Sequence, residues 1–174
     1  MYHDGEGVLQ DHKEAVKWYT KAAEQGLAEA QNNLGRMYFD GQGVRKNMKQ
    51  AARWFTKAAE QGNAGSQAYL GLMYSEGDGV PQDHKKAVKW HTKAAKQGSA
   101  VSQYDLALKY YHGNGVLQDY IKSHKWFNLA AANGFELGKK YRDLLAEEMT
   151  SDQIAEAQKM AREMVEANPK LMGD

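Results

Sequence analysis

Histidine and serine are the side chains of this chain that could do acid–base or nucleophilic chemistry. None of its six serines is followed three places on by lysine, as a Ser-x-x-Lys nucleophile would require. The six histidines form no His-Glu-x-x-His zinc motif, and His84 and His91 lie two helical turns apart without a third ligand. We therefore interpret them as exposed helix histidines. With no cysteine to supply a thiolate, the sequence predicts no catalytic residues, no metal and no cofactor, and so a protein that is not an enzyme.

A short Gly-x-Gly-Val string could in principle cradle a phosphate before a helix. It occurs at 5–8, 41–44, 77–80 and 113–116, always 36 residues apart. The third glycine of a dinucleotide-binding fingerprint is missing, and Lys46 stands at its place in the second copy. The constant spacing favours a structural loop over a phosphate site.

The same 36-residue period runs through the whole pattern of helix-forming residues. Tryptophan recurs at Trp18, Trp54, Trp90 and Trp126, and an Ala-Ala pair follows each of them at 22–23, 58–59, 94–95 and 130–131. Within one period, 28–40 has the apolar spacing of a helix (helix A), and Asn47 is placed to cap a second helix (helix B) that runs to about Gln61. A period of this length, with helical apolar spacing inside it, predicts an all-α solenoid of helix-turn-helix repeats.

The repeats divide the chain into an array and an end. We expect an array over residues 1–149 of about four repeats, the first incomplete because Met1–Asp4 matches the last turn of a helix A. Thr150-Ser151-Asp152-Gln153 has the pattern of a capping box and predicts a C-terminal capping helix over 150–168. After Asn168-Pro169 we expect a frayed tail, residues 169–174.

Charge and hydropathy limit the kinds of partner and of cellular location that the sequence predicts. The formal net charge is +1, which gives no general attraction to nucleic acid, and the mean hydropathy of −0.78 with no long apolar run argues against a transmembrane segment. The first residues lack the basic start and apolar stretch of a signal peptide.

The repeat resembles the Sel-one-like repeat (SLR) family, relatives of the tetratricopeptide repeat. The resemblance rests on Ala-x-Ala-Gln-x-x-Leu-Gly-x-Met-Tyr-x-x-Gly-x-Gly-Val at 28–44 and on its recurrence at 64–98 and, more weakly, at 100–134. It implies that the solenoid is a right-handed α/α superhelix. It also implies an adaptor that binds a partner protein or peptide, in a bacterium and in the periplasm or outside the cell. Cysteine-rich relatives linked to β-lactam binding differ from this chain, which has no cysteine.

In tetratricopeptide-like stacks the A helices line a concave groove, so we expect the partner there. The helix A positions opposite the buried face change from repeat to repeat, and in the third repeat they are rich in aromatic and aliphatic groups that suit a docked peptide. Tyr104 and Leu108 could equally pack against the terminal helices, because apolar periodicity does not separate a core from an interface. The predicted groove residues are Asn32, Arg36, Phe39, Ala68, Leu72, Glu76, Tyr104, Leu108, Tyr111 and His112.

A second surface is basic. Cations lie four residues apart on each helix B, roughly opposite the tryptophan, and would stack into a ridge on the convex side, here called the basic ridge: Lys13, Lys17, Lys21, Lys49, Arg53, Lys57, Lys85, Lys89 and Lys93. The ridge could bind a polyanion or an anionic envelope surface, or only keep the protein in solution. A cell-wall or β-lactam-related enzyme is a third alternative, supported by family association alone. We also expect self-association through the uncovered first helix B.

Overall fold

The computed structural model describes residues 12–173, and within them the chain is entirely helical. Helices of the B type alternate with helices of the A type along the chain, and a short 3-10 helix follows the last α-helix. The B helices are α1 (His12–Glu24), α3 (Met48–Glu60), α5 (His84–Ala95) and α7 (Tyr120–Ala132); the A helices are α2 (Ala28–Asp40), α4 (Ala64–Glu76), α6 (Ala100–His112) and α8 (Glu136–Ala146); α9 (Ser151–Ala167) and the 3-10 helix (Pro169–Met172) complete the chain. The expected all-α solenoid is confirmed. No helix in this stretch is long and apolar enough to cross a membrane.

The predicted caps start the B helices. The side chains of Asn47, Asp83 and Asp119 each accept a hydrogen bond from the backbone N–H three residues on. Such a bond satisfies one of the N–H groups that a helix leaves unpaired at its start. Asp11, expected to do the same, lies outside the described residues.

One polar contact repeats at the first three junctions between a helix B and the following helix A, namely α1–α2, α3–α4 and α5–α6. The buried side-chain amide of Gln67 donates to the Ala59 carbonyl of the preceding repeat at 3.1 Å, and Gln97, just after α5 in the same repeat as Gln67, donates to the Gln67 oxygen at 2.7 Å. Gln31 and Gln103 occupy the equivalent positions and make equivalent bonds. We call this series the amide ladder. It links each repeat to the next in the same register.

The core follows the stack as three consecutive apolar clusters. They are built around Leu34, around Phe55 with Leu70 and Met73, and around Phe127 with Leu106. Each cluster joins helices that are neighbours in sequence, as expected when a repeat touches only its neighbours. The core is therefore a ribbon along the stack.

The C-terminal end agrees with the prediction for the capping helix. Thr150 caps α9, and a reciprocal capping box with Gln153 is present. Ala157 and Ala161 of α9 are buried, and α9 packs against α7. The last helix A, α8, ends at Ala146, three residues before the expected end of the array at 149.

The expectation of a frayed tail over 169–174 is wrong for the residues that the structure describes there. Leu171 is 1% exposed and belongs to the last core cluster. Its carbonyl accepts from Gln103 and from Asn133, each at 2.8 Å, and Asn168 donates to the Lys96 carbonyl at 2.8 Å. The tail thus folds back over the turn between α5 and α6.

Candidate partner-binding groove

The first three A helices contact one another directly. Cα atoms of α2 and α4, and of α4 and α6, come within 8 Å. We call the surface formed by α2, α4, α6 and α8 the helix A groove.

The predicted groove residues have two kinds of environment. Arg36, Glu76 and His112 are exposed, whereas the other seven are half-buried. Asn32 is tied to the next helix A, since its side-chain oxygen accepts a hydrogen bond of 2.9 Å from the Ser66 hydroxyl. The ten residues therefore include both exposed residues and residues that contact a neighbouring repeat.

The alternative in which Tyr104 packs against the terminal helices is the one observed. Its ring lies 5.6 Å from that of Phe127, 5.1 Å from Phe135 and 5.6 Å from Tyr141, measured between centroids. Burial beside Tyr141 raises the pKa of Tyr104 to about 12. Leu108 packs against the same cluster. Neither side chain is a free anchor for a partner.

A cavity opens at the C-terminal end of the groove, between α6, α7 and α8. Its volume is about 270 Å³, and its lining combines Tyr111 and Tyr141 with Leu144 over a floor at Phe127. Leu144 is 48% exposed although it is a large apolar side chain. Glu147 and Glu148 complete the lining, and the Glu148 carboxylate raises the pKa of Tyr111. The cavity is apolar inside and acidic at its edge.

An aromatic cluster occupies the corresponding place at the N-terminal end. The rings of Phe55 and Tyr69 stack at 4.5 Å, and Phe39 meets the edge of Tyr69 at 5.2 Å. Phe55 is fully buried, whereas Phe39 and Tyr69 are half-buried and reach the surface. The predicted residue Phe39 is thus part of an aromatic surface in which Tyr69 was not foreseen.

The middle of the groove contains a buried histidine, which corrects the expectation that His91 is exposed. Its side chain is 2% exposed, and a Cβ added to Gly71 of α4 would lie 2.6 Å from its ring. Burial lowers the pKa of His91 to about 4. Its Nδ1 has no hydrogen-bond partner and lies 3.9 Å from Oδ2 of Asp105, whose pKa burial raises to about 6. At neutral pH the imidazole is uncharged and the carboxylate is largely ionised.

The basic ridge is exposed at all nine of its positions. The ridge was expected to lie opposite the tryptophans, but two of its lysines contact them. Lys57 Nζ lies 4.5 Å from the Trp54 ring centre, and Lys93 Nζ lies 4.5 Å from the Trp90 ring centre. Trp18 is 60% exposed on the first described helix. Self-association through that helix stays a prediction.

No group of three or more His, Asp or Glu side chains is arranged to hold a metal ion in the described part of the chain. Ser75, His91 and Asp105 are the residue types of a hydrolytic triad, but the Ser75 hydroxyl donates to the Gly71 carbonyl at 2.9 Å. With the imidazole enclosed, no substrate has access to it. The arrangement suits binding better than catalysis.

Sequence reasoning missed Tyr69, Asp105 and Tyr141, and it placed His91 at the surface. The signal was available in the period itself. Position 55 and its equivalents read Phe55, His91 and Phe127, so the middle repeat departs from an aromatic pattern. A comparison of equivalent positions would have found the change.

These helices, packed pair on pair at a 36-residue spacing, define a helical-repeat protein of the solenoid class. Residues 1–27, 28–63, 64–99 and 100–135 match the Sel1 repeat. The chain belongs to the Sel1 repeat family, whose members are generally protein–protein interaction modules.

Two solved structures resemble the chain over most of its length. One is c5321, a protective antigen of uropathogenic Escherichia coli strains with an SLR fold, with 36% identity and a TM-score of 0.87 over 98% of this chain and 37% of that one. The other is a Sel1 repeat protein from Oxalobacter formigenes, with 38% identity and a TM-score of 0.74 over 78% of this chain and 56% of that one. The chain therefore spans between about a third and somewhat over half of these proteins. Among curated proteins, none matches it.

Proposed function

We propose that this chain is a non-catalytic interaction module that binds a partner protein or peptide in the helix A groove. The observation that carries the proposal is the cavity of about 270 Å³ between α6, α7 and α8, with Leu144 48% exposed at its wall. Binding sites are typically concave, largely apolar and edged by a few polar groups. Peptide anchors that enter such pockets supply most of the binding energy.

The experiment is a selection of random peptides displayed on phage against the purified chain. Selected peptides are then synthesised with a fluorescent label, and their dissociation constants are measured by anisotropy. Leu144→Asp places a charge in the cavity wall and should weaken binding at least tenfold, because the anchor would have to desolvate a carboxylate.

Leu137→Asp is the matched control. Leu137 lies on the same helix and is 47% exposed, but it does not line the cavity. We expect it to leave the dissociation constants unchanged. If both substitutions weaken binding equally, or if no selected peptide depends on Leu144, the groove is not the binding surface.

A second candidate function is binding of a polyanion or an anionic envelope surface by the basic ridge. Its support is the lack of any ion pair, within residues 12–173, at the six ridge cations of α3 and α5, all of them exposed: Lys49, Arg53, Lys57, Lys85, Lys89 and Lys93. Unpaired cations on one face attract anions over about a Debye length.

Sedimentation with phosphatidylglycerol vesicles, and chromatography on heparin, test this second function. Reversal of Lys85, Lys89 and Lys93 to Glu should abolish a salt-sensitive interaction. Reversal of Lys159, Arg162 and Lys170, outside the ridge, should leave it unchanged. Absence of binding by the wild-type chain at low salt removes the candidate.

A further inference from the structure

Three equivalent niches lie along the helix A groove. Each is formed by one residue of a helix A, one of the helix B that follows, and one of the next helix A, at positions that recur every 36 residues. The N-terminal niche is Phe39, Phe55 and Tyr69; the middle niche is Ser75, His91 and Asp105; the C-terminal niche is Tyr111, Phe127 and Tyr141.

The two outer niches are aromatic and reach the surface. In the N-terminal niche, Phe39 and Tyr69 are half-buried over Phe55. In the C-terminal niche, the rings of Phe127 and Tyr141 stack at 5.8 Å beside the cavity, and Tyr141 is 38% exposed. Half-exposed aromatic rings can gain further burial from the apolar side chain of a partner.

The middle niche is polar, and its carboxylate accepts no hydrogen bond from a side chain of the described stretch. The side chain of Asp105 is 29% exposed, and the Nδ1 of uncharged His91 lies 3.9 Å from its Oδ2, beyond hydrogen-bond distance. Lys109 lies near enough to favour the ionised form of Asp105. A partly buried carboxylate without a donor is a site for a cationic group.

The charge around the groove favours the same kind of ligand. Glu76 lies close enough to Asp105 to disfavour its ionisation, so the middle niche carries a second carboxylate. Glu147 and Glu148 line the cavity of the C-terminal niche. Lys109 compensates part of this charge, and the N-terminal niche differs because Lys46 lies over the Phe39 ring at 5.8 Å. A cation therefore complements the middle niche and the acidic edge of the C-terminal niche, whereas a carboxylate there would be repelled.

The spacing of the niches sets the length of the ligand. Packed helices lie about 8–10 Å apart, so the outer niches, two helix A spacings apart, are separated by roughly 16–20 Å. An extended chain covers about 3.3 Å per residue, so roughly five or six residues bridge them.

We propose that the helix A groove recognises an extended peptide with two aromatic or large aliphatic side chains about five or six residues apart and a lysine or arginine between them. The outer anchors enter the aromatic niches, and the cation reaches Asp105. This inference rests on the proposed function, because it specifies the ligand of the same groove.

The test uses two synthetic, fluorescein-labelled peptides of nine residues. Both carry phenylalanine at the second and eighth places and serine or glycine elsewhere, and they differ only in arginine or glutamate at the fifth place. We expect the wild-type chain to bind the arginine peptide at least tenfold more tightly. Asp105→Asn should reduce this preference to less than threefold, whereas Asp78→Asn, in an exposed loop outside the groove, should leave it unchanged.

Leu144→Asp should weaken the binding of both peptides. If binding depends on Leu144 but the two peptides bind equally well, the proposed ligand is wrong and the proposed function stands. The same holds if Leu144-dependent peptides from the display selection lack the pattern. If no peptide depends on Leu144, both fail. Circular dichroism checks that Asp105→Asn is folded. If it is not, Glu76→Gln at an exposed position takes its place, and it should lower the preference for the arginine peptide by a smaller factor than Asp105→Asn.

Discussion

The docked tail can be tested through the one closing turn that it covers. Gly98 lies in this turn with φ +87°, and a Cβ at this position would be 2.5 Å from the Gly173 Cα and 2.6 Å from the Lys170 carbonyl oxygen. Gly62 occupies the equivalent turn with φ +98°, and nothing lies within 4 Å of its would-be Cβ. Alanine at either site is disfavoured by a left-handed backbone, which costs about 1–2 kcal/mol. Only Gly98→Ala must also displace the tail.

The size of the difference follows from Leu171. Truncation of a buried leucine to alanine costs about 2–5 kcal/mol, and we expect about 2–3 kcal/mol for Leu171→Ala because the tail can detach instead of keeping a cavity. Gly98→Ala should therefore lower the free energy of unfolding by about 2–3 kcal/mol more than Gly62→Ala. In the double variant Gly98→Ala/Leu171→Ala, the leucine substitution should add less than about 0.5 kcal/mol, because the tail is already displaced.

Guanidinium denaturation followed by far-UV circular dichroism gives these free energies. Hydrogen exchange adds a local measurement, since the Leu171 amide donates to the Asn168 carbonyl at 3.1 Å and should lose its protection in Gly98→Ala but not in Gly62→Ala. Equal destabilisation by the two glycine substitutions, together with full additivity in the double variant, would refute the docked tail.

Two further predictions concern pH and the tryptophans. Because burial holds the pKa of His91 at about 4 against 6.5 in the unfolded chain, the unfolded state takes up this proton first, and stability due to His91 is lost as pH falls from about 6.5 to 4. The raised pKa of Asp105, about 6, has the opposite effect. Protonation of Asp105 stabilises the folded state at low pH, and this stabilisation is lost as pH rises through 6. Asp105→Asn should therefore lose up to about 3 kcal/mol between pH 6.5 and 4, measured by denaturant titration, whereas the wild type should change much less. Trp54→Ala should lower the free energy of unfolding by about 3 kcal/mol because Trp54 packs on the preceding repeat, and Trp18→Ala by less than about 1 kcal/mol because Trp18 is 60% exposed; equal losses in thermal denaturation would contradict this account.

The local features of the fold could be predicted because each depends on residues close in sequence. The caps at Asn47 and Asp83, and the capping box at Thr150, are formed within four residues, and the structure has them where the pattern places them. The 36-residue period then places the same helices and caps in every repeat.

Features that depend on distant contacts were missed or wrongly predicted. Leu171 is buried because Gln103 and Asn133 bind its carbonyl, and nothing near Pro169 in the sequence indicates this. His91 was expected at the surface because its side chain is polar, but it stands at the position of buried Phe55 and Phe127, and Gly71 of the preceding helix leaves space for its ring. The acidic and aromatic residues that complete the groove come from neighbouring repeats, so one repeat considered alone does not contain them.

The amide ladder has a consequence for how the stack loses its structure. Gln67 is 3% exposed, and its side-chain nitrogen donates to the Ala59 carbonyl of the preceding repeat. If the preceding repeat unfolded alone, that buried nitrogen would lose its acceptor, at a cost of about 1–3 kcal/mol beyond the lost apolar contact. In a nearest-neighbour description of a linear array, this cost is a penalty on every boundary between ordered and disordered units. Melting should therefore spread through several repeats at once, and partly unfolded stacks should be rarely populated at equilibrium.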